Sequence, residues 1–116
     1  MSEIVNAIIK SVSLDDADRG FLTGWVDLDY GDSGQGFGGY GLYYPEGFKK
    51  RRATPNYAGH FIWRVMTVAG VTRWQDVPGK TVRVRIDNGL AKAIGHIVKD
   101  DWFDPSADFE AMEPAP

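Results

Sequence analysis

Between Asp29 and Tyr44 the chain places six of its fourteen glycines and four of its five tyrosines. Each glycine costs backbone entropy on folding. A cluster of them therefore marks positive φ angles or something pressed close to the main chain. No helix survives such a run, which leaves two readings. In the first, Gly31 to Gly39 form an open strand-to-strand loop whose amides face a ligand. In the second, the run is a bulged hairpin or a glycine-rich strand pressed against a bulky neighbour such as Trp25.

The string Gly34-x-Gly36-x-x-Gly39 has the spacing of a dinucleotide fingerprint, but that motif needs a strand before it and a helix after it. Here a strand follows. Kinases do set a glycine loop between strands, but this chain is far too short for one and lacks the companion lysine and magnesium motifs. The physical content that remains is a row of N–H groups able to form an anion-binding concavity.

Around this stretch the pattern is mostly β. Ile4 to Leu14 reads as a first strand, and the polar Asp15–Gly20 as a hairpin loop. Phe21 to Tyr30 alternates, with Leu22, Gly24, Val26, Leu28 and Tyr30 on a core face and Trp25, Asp27 and Asp29 opposite. A third strand runs from Gly39 to Tyr44. Thr54 as cap and Pro55 at the first turn open a helix, and Gly70 closes it. Ala58, Phe61, Ile62, Val65, Met66 and Ala69 form its apolar face. Thr72-x-x-Gln75 fits the capping box of a second short helix, with Trp74 and Val77 as anchors. Thr81 to Asp87 and Leu90 to Val98 are strands joined by an Asn88-Gly89 hairpin turn, with Gly95 a bulge position.

The expected fold is α+β and mainly β: a five-stranded antiparallel sheet or an OB-like barrel, with one main helix between strands 3 and 4. Residues 1–105 form a single domain, and 106–116 an acidic, disordered tail. The net charge is −3. Asp104, Asp108, Glu110 and Glu113 lie in the last thirteen residues, and without them twelve acids face thirteen bases. That balance is far from the strongly basic signature of a general nucleic-acid binder. No cysteine is present, which excludes disulfides, thiolate metal sites and cysteine nucleophiles. No leader pattern and no apolar run of membrane length are visible, so no membrane partner is expected.

Catalysis finds little support. The two histidines, His60 and His96, read as a helix-surface residue and a half-buried strand residue. Ser33 lacks the second glycine of a nucleophile elbow. Asp27, Asp29 and Asp32 miss the calcium-loop spacing, and Asp29 and Asp32 read better as turn caps. No metal or cofactor is expected. The binding candidates are Ser33, Gly34, Gln35, Gly36, Phe37, Gly38, Gly39, Tyr43 and Trp25. Arg83 and Arg85 would line a positive groove together with the Lys49–Arg52 run. Aromatics interleaved with bases suit a nucleotide, another phosphate-bearing ligand, or single-stranded nucleic acid.

The segments Leu28-Asp29-Tyr30-Gly31-x-Ser33-Gly34-Gln35-Gly36-Phe37-Gly38-Gly39-Tyr40, Gly59-His60-Phe61-Ile62, Trp74-x-Asp76-x-x-Gly79-Lys80-x-Val82-Arg83-Val84 and Ile94-Gly95-His96-Ile97-x-Lys99-Asp100-x-Trp102-Phe103-x-Pro105 resemble a family of small proteins encoded by bacteriophages and prophages. The resemblance carries over no activity and no catalytic residue. It implies a phage accessory setting in the cytoplasm of a bacterial host. It also implies two modes of action against host defence: sequestering a nucleotide, or docking as an inhibitor on a defence complex of CRISPR type. Assembly into a homo-oligomer is a further expectation for a domain this small.

Overall fold

The computed structural model describes residues 2–18, 21–31, 33–43 and 57–112. Six strands form one antiparallel sheet: β1 (Ser2–Asp18), β2 (Phe21–Asp29), β3 (Gly34–Tyr43), β4 (Thr81–Asp87), β5 (Leu90–Gly95) and β6 (Trp102–Phe103). Helix α1 (Tyr57–Ala69) lies between β3 and β4, and helix α2 (Pro105–Met112) ends the described chain. The expected caps Thr54 and Pro55 and the Lys49–Arg52 run lie outside the described residues.

The strand order is β3-β2-β1-β4-β5-β6, so β1 is the hub. Its first half, Ser2 to Ile8, pairs with β4, and its second half, from Ile8 onward, pairs with β2. The change of partner coincides with a register shift between Ile9 and Ser11. An extra residue there bends and twists the strand, which lets one strand serve two neighbours. Alternation then sorts the faces: Ala7, Ile9, Val26, Leu28, Val82 and Val84 point inward and are buried.

The sheet curls until its outer strands meet. Gln35 on β3 donates from Nε2 to the Gly89 carbonyl at 2.9 Å and accepts the Ala91 N–H at Oε1. Beneath this bridge Phe37 meets Phe103 edge to face, with ring centroids 6.1 Å apart. α1 fills the interior from one end with Tyr57, Phe61, Val65 and Val68. Phe61 packs so closely on Gly24 that a Cβ there would lie 2.6 Å from its ring. α1 stops at Gly70, whose N–H bonds the Thr67 carbonyl while Val71 N–H bonds that of Met66. This is the paired closure a left-handed residue permits, and Gly70 has φ +75°.

Several expectations change. The sheet has six strands rather than five, because Trp102 and Phe103 pair with Gly95 and Ile94. By backbone pairing it is open rather than a closed barrel. The capping box at Thr72 does not form: the turn is a 3-10 helix, Trp74–Asp76, with Arg73 at its N-cap and no side-chain cap. The bulge in β5 falls opposite Arg85 and Ile86 and not at Gly95. Gly95 instead makes room for Trp102, whose Cδ2 would lie 2.6 Å from an added Cβ. The tail expected to be disordered is helical through Met112. Phe109 holds it down against Tyr57 at 4.6 Å and Tyr40 at 6.0 Å between centroids. Asn88 and Gly89 do form the hairpin turn, with φ of 54° and 79°.

Candidate functional site

The glycine run is a strand. Gly34, Gln35, Gly36, Phe37 and Gly38 pair in register with Asp29, Leu28, Asp27, Val26 and Trp25. The loop between β2 and β3 shrinks to a tight turn at Tyr30 to Ser33. It is closed by Tyr30 N–H to the Ser33 carbonyl and by Gly31 N–H to Asp29 Oδ1, both at 2.8 Å. Asp29 thus caps the turn as expected, and Asp32 lies outside the described residues. The stretch expected as an open loop is therefore an edge strand, paired with β2 on one side over Gly34 to Gly38.

The glycines have another use. Trp25 projects from the outer face of β2, and its indole lies across β3. A Cβ at Gly36 would sit 3.0 Å from Trp25 Cε3, and one at Gly39 would sit 2.5 Å from Cζ2. Any side chain at those two positions would lift the ring off the sheet. Gly39 also has φ +79°, at a register shift between Trp25 and Thr23. Trp25 remains 43% exposed. One face of the ring is seated on bare backbone and the other meets solvent.

The remaining candidates separate. Phe37 is fully buried and cannot stack on a ligand. Gln35 is used in the bridge to Gly89 and Ala91. Arg83 donates from Nε to the His96 carbonyl at 2.8 Å and from an NH2 group to the Lys99 carbonyl at 2.7 Å. Its guanidinium lies over Trp102, 4.9 Å from the ring centroid. Arg85 is paired with Asp87 at 3.3 Å and Asp104 at 2.8 Å. The positive groove is thus corrected to two internally paired arginines. Ser33 is exposed in the turn, and the side chain of Tyr43 lies outside the described residues.

Sequence reasoning missed what surrounds Trp25. Asp27 and Asp29 share its face, as alternation demands. Asp27 Oδ2 accepts from Ser11 Oγ at 3.2 Å, and neither carboxylate has a cationic partner among the described residues. Ile4 and Ile8 of β1 extend the same outer face, and both are exposed. Two shallow hollows flank the turn and share Asp29 and Gly31. One, of 330 Å³, also touches Asn6, Ile8, Tyr30 and Thr81. The other, of 260 Å³, touches Lys10, Ser33 and Gly34. The Tyr30 hydroxyl is buried without a hydrogen-bond partner in the protein, and burial raises its pKa above the ordinary 10.0.

Both histidines have structural roles. His60 Nε2 lies 2.7 Å from Asp108 Oδ2 and ties α1 to α2. His96 Nδ1 accepts the N–H groups of Val98 and Lys99, each at 3.0 Å, and so shapes the turn before β6. Arg64 reaches Asp101 at 2.6 Å and the Trp102 carbonyl at 3.0 Å. The Arg64 hydrogen bond holds the Asp101 carboxyl below its ordinary 3.8. Among the described residues no three acidic or histidine side chains gather as metal ligands, and no helix is long and apolar enough to cross a membrane. The chain matches no protein-family model, no curated protein and no solved structure.

Proposed function

We propose that this protein works by binding and without catalysis, as an accessory protein of phage type that docks on a protein of the host's defence. The docking surface is the outer face of β2 and β3, and Trp25 is its anchor. The observation that carries this reading is the seat of the indole on Gly36 and Gly39 with its other face exposed. A strand that gives up side chains to hold an exposed tryptophan flat presents large, rigid area with little entropy left to lose. Buried aromatic anchors dominate protein interfaces for that reason. Ile4 and Ile8 add apolar area beside it.

The topology supports an OB-like reading of the fold. β1 is shared between β2 and β4, a helix lies between β3 and β4, and Gln35 draws β3 back to the β4–β5 hairpin. In such folds the face of strands 2 and 3 binds oligonucleotides and oligosaccharides, which marks it as a contact surface and favours the second reading below.

A nucleotide or single-stranded nucleic acid is the second reading, since an exposed indole also stacks on a base. The phosphate then meets Asp27 and Asp29 beside the ring, while Arg83 and Arg85 are paired elsewhere. That charge pattern ranks it second. A second copy of the chain is a third occupant.

The test is capture from nuclease-treated host lysate by the wild type and by Trp25→Ala, with melting temperatures taken in a panel of mono- and cyclic nucleotides and oligo-dT. A protein partner lost with Trp25→Ala supports the proposal. A partner retained by Trp25→Ala refutes the face. A melting shift with nucleotide or oligo-dT that disappears in Trp25→Ala moves the assignment to the second reading. Self-association lost in Trp25→Ala moves it to the third.

A further inference from the structure

We infer that the group received on Trp25 is a guanidinium, supplied by an arginine of a basic segment of the partner. This rests on the docking face proposed above and specifies its chemistry.

The protein contains a filled version of the same arrangement. Trp102 is seated on the sheet at Gly95, where an added Cβ would lie 2.6 Å from its Cδ2. The guanidinium of Arg83 lies over the same ring, 4.9 Å from the centroid. Trp25 is seated in the same manner on Gly36 and Gly39. No arginine among the described residues covers it. A guanidinium over an indole is attracted by the ring quadrupole, and its planar shape matches the ring where an ammonium does not.

The carboxylates point the same way. Five acids are paired, Asp76 with Arg73, Asp87 and Asp104 with Arg85, Asp101 with Arg64, and Asp108 with His60, while Glu3, Asp100 and Glu110 have no ion pair among the described residues. Asp27 and Asp29, on the face of Trp25, have no such partner among the described residues. Each uses one oxygen locally, on Ser11 Oγ and Gly31 N–H respectively, and retains the other. Lys10 borders the hollow beside Asp29 without an ion pair to it. Two residues along a strand span about 6.6 Å. An arginine stacked on Trp25 therefore has the Asp27 carboxylate within reach of its forked N–H groups. A phosphate in that place meets like charge.

The test is an amide and indole NMR titration of the full chain with hexaarginine, hexalysine and AMP at low salt. The expected result is a saturable shift at the Trp25 indole N–H and at Asp27 and Asp29 with hexaarginine, and weaker binding by hexalysine. The double variant Asp27→Asn/Asp29→Asn keeps the wild-type spectrum elsewhere and binds hexaarginine roughly tenfold more weakly. Unchanged affinity in that variant, equal binding of hexalysine, or shifts that bypass the Trp25 indole would overturn the inference. So would a Trp25 indole that responds to AMP and not to hexaarginine. The two levels separate in the capture experiment. A partner lost with Trp25→Ala but kept by Asp27→Asn/Asp29→Asn leaves the face standing and removes the guanidinium. A partner kept by Trp25→Ala removes the face itself.

Discussion

Replacing Gly36 by alanine asks directly whether the glycines of β3 exist to seat Trp25. A Cβ at Gly36 lies 3.0 Å from Cε3 and 3.1 Å from Cζ3 of the indole. That is inside normal contact distance, so the ring must rise. Its outer face is free, so it has room to do so. Gly36 has no positive φ, and alanine there restricts the unfolded chain, which by itself stabilises by about 0.5–1 kcal/mol. With the indole present, lost ring contacts offset that gain, and Gly36→Ala is expected to be neutral to about 1 kcal/mol destabilising. In a Trp25→Ala background the obstruction is gone, and Gly36→Ala stabilises by about 0.5–1 kcal/mol. The coupling between the two positions is thus on the order of 1 kcal/mol. Gly39 behaves differently because its φ is +79°. Gly39→Ala retains a left-handed backbone cost of about 1–2 kcal/mol even without the ring. The assay is urea unfolding of the wild type, both singles and the double for each pair. It is followed by far-UV circular dichroism, since removing a tryptophan changes the fluorescence baseline. A Gly36→Ala effect of the same sign and size in both backgrounds would refute the seat.

Four further outcomes follow from the same contacts. Gln35→Ala removes both bonds that join β3 to the β4–β5 hairpin; it costs about 1–3 kcal/mol and speeds hydrogen exchange at Ala91. Asp101 is held below 3.8 mainly by the Arg64 hydrogen bond, so its folded pKa lies under its unfolded one. Its contribution is present above the unfolded value and is lost as pH falls below about 4; Asp101→Asn flattens that part of the stability profile, and an unchanged acid slope contradicts the pairing. Tyr30→Phe deletes a buried hydroxyl that has no protein partner, and is expected to leave stability unchanged or raise it by about 1 kcal/mol in thermal unfolding; a clear loss means the hydroxyl is satisfied by water. His96→Asn keeps an acceptor for the Val98 and Lys99 amides and is mild, whereas His96→Ala costs about 1–2 kcal/mol by chemical denaturation.

Much of the fold was legible because it is local. The alternation of β2 and β4, the apolar stripe of α1, its glycine stop at Gly70 and the Asn88-Gly89 turn each depend on a few adjacent residues. The chain's own pattern sufficed for them. What lay between distant residues was not legible. The two-residue β6 carries no periodicity, and it forms because Gly95 leaves room for Trp102. α2 reads as a polar tail until Phe109 finds Tyr57 and His60 finds Asp108 across the fold. Arg83 and Arg85 read as a free positive stripe, and only the return of the chain at Lys99 and Asp104 engages them. The glycine run shows the division most plainly. Composition alone required a special backbone between Asp29 and Tyr44, and it favoured an open ligand loop over a strand pressed on Trp25. Tertiary structure chose the strand. β2 lies alongside and pairs in register with Gly34 to Gly38, and the absent side chains leave space that the indole of Trp25 fills.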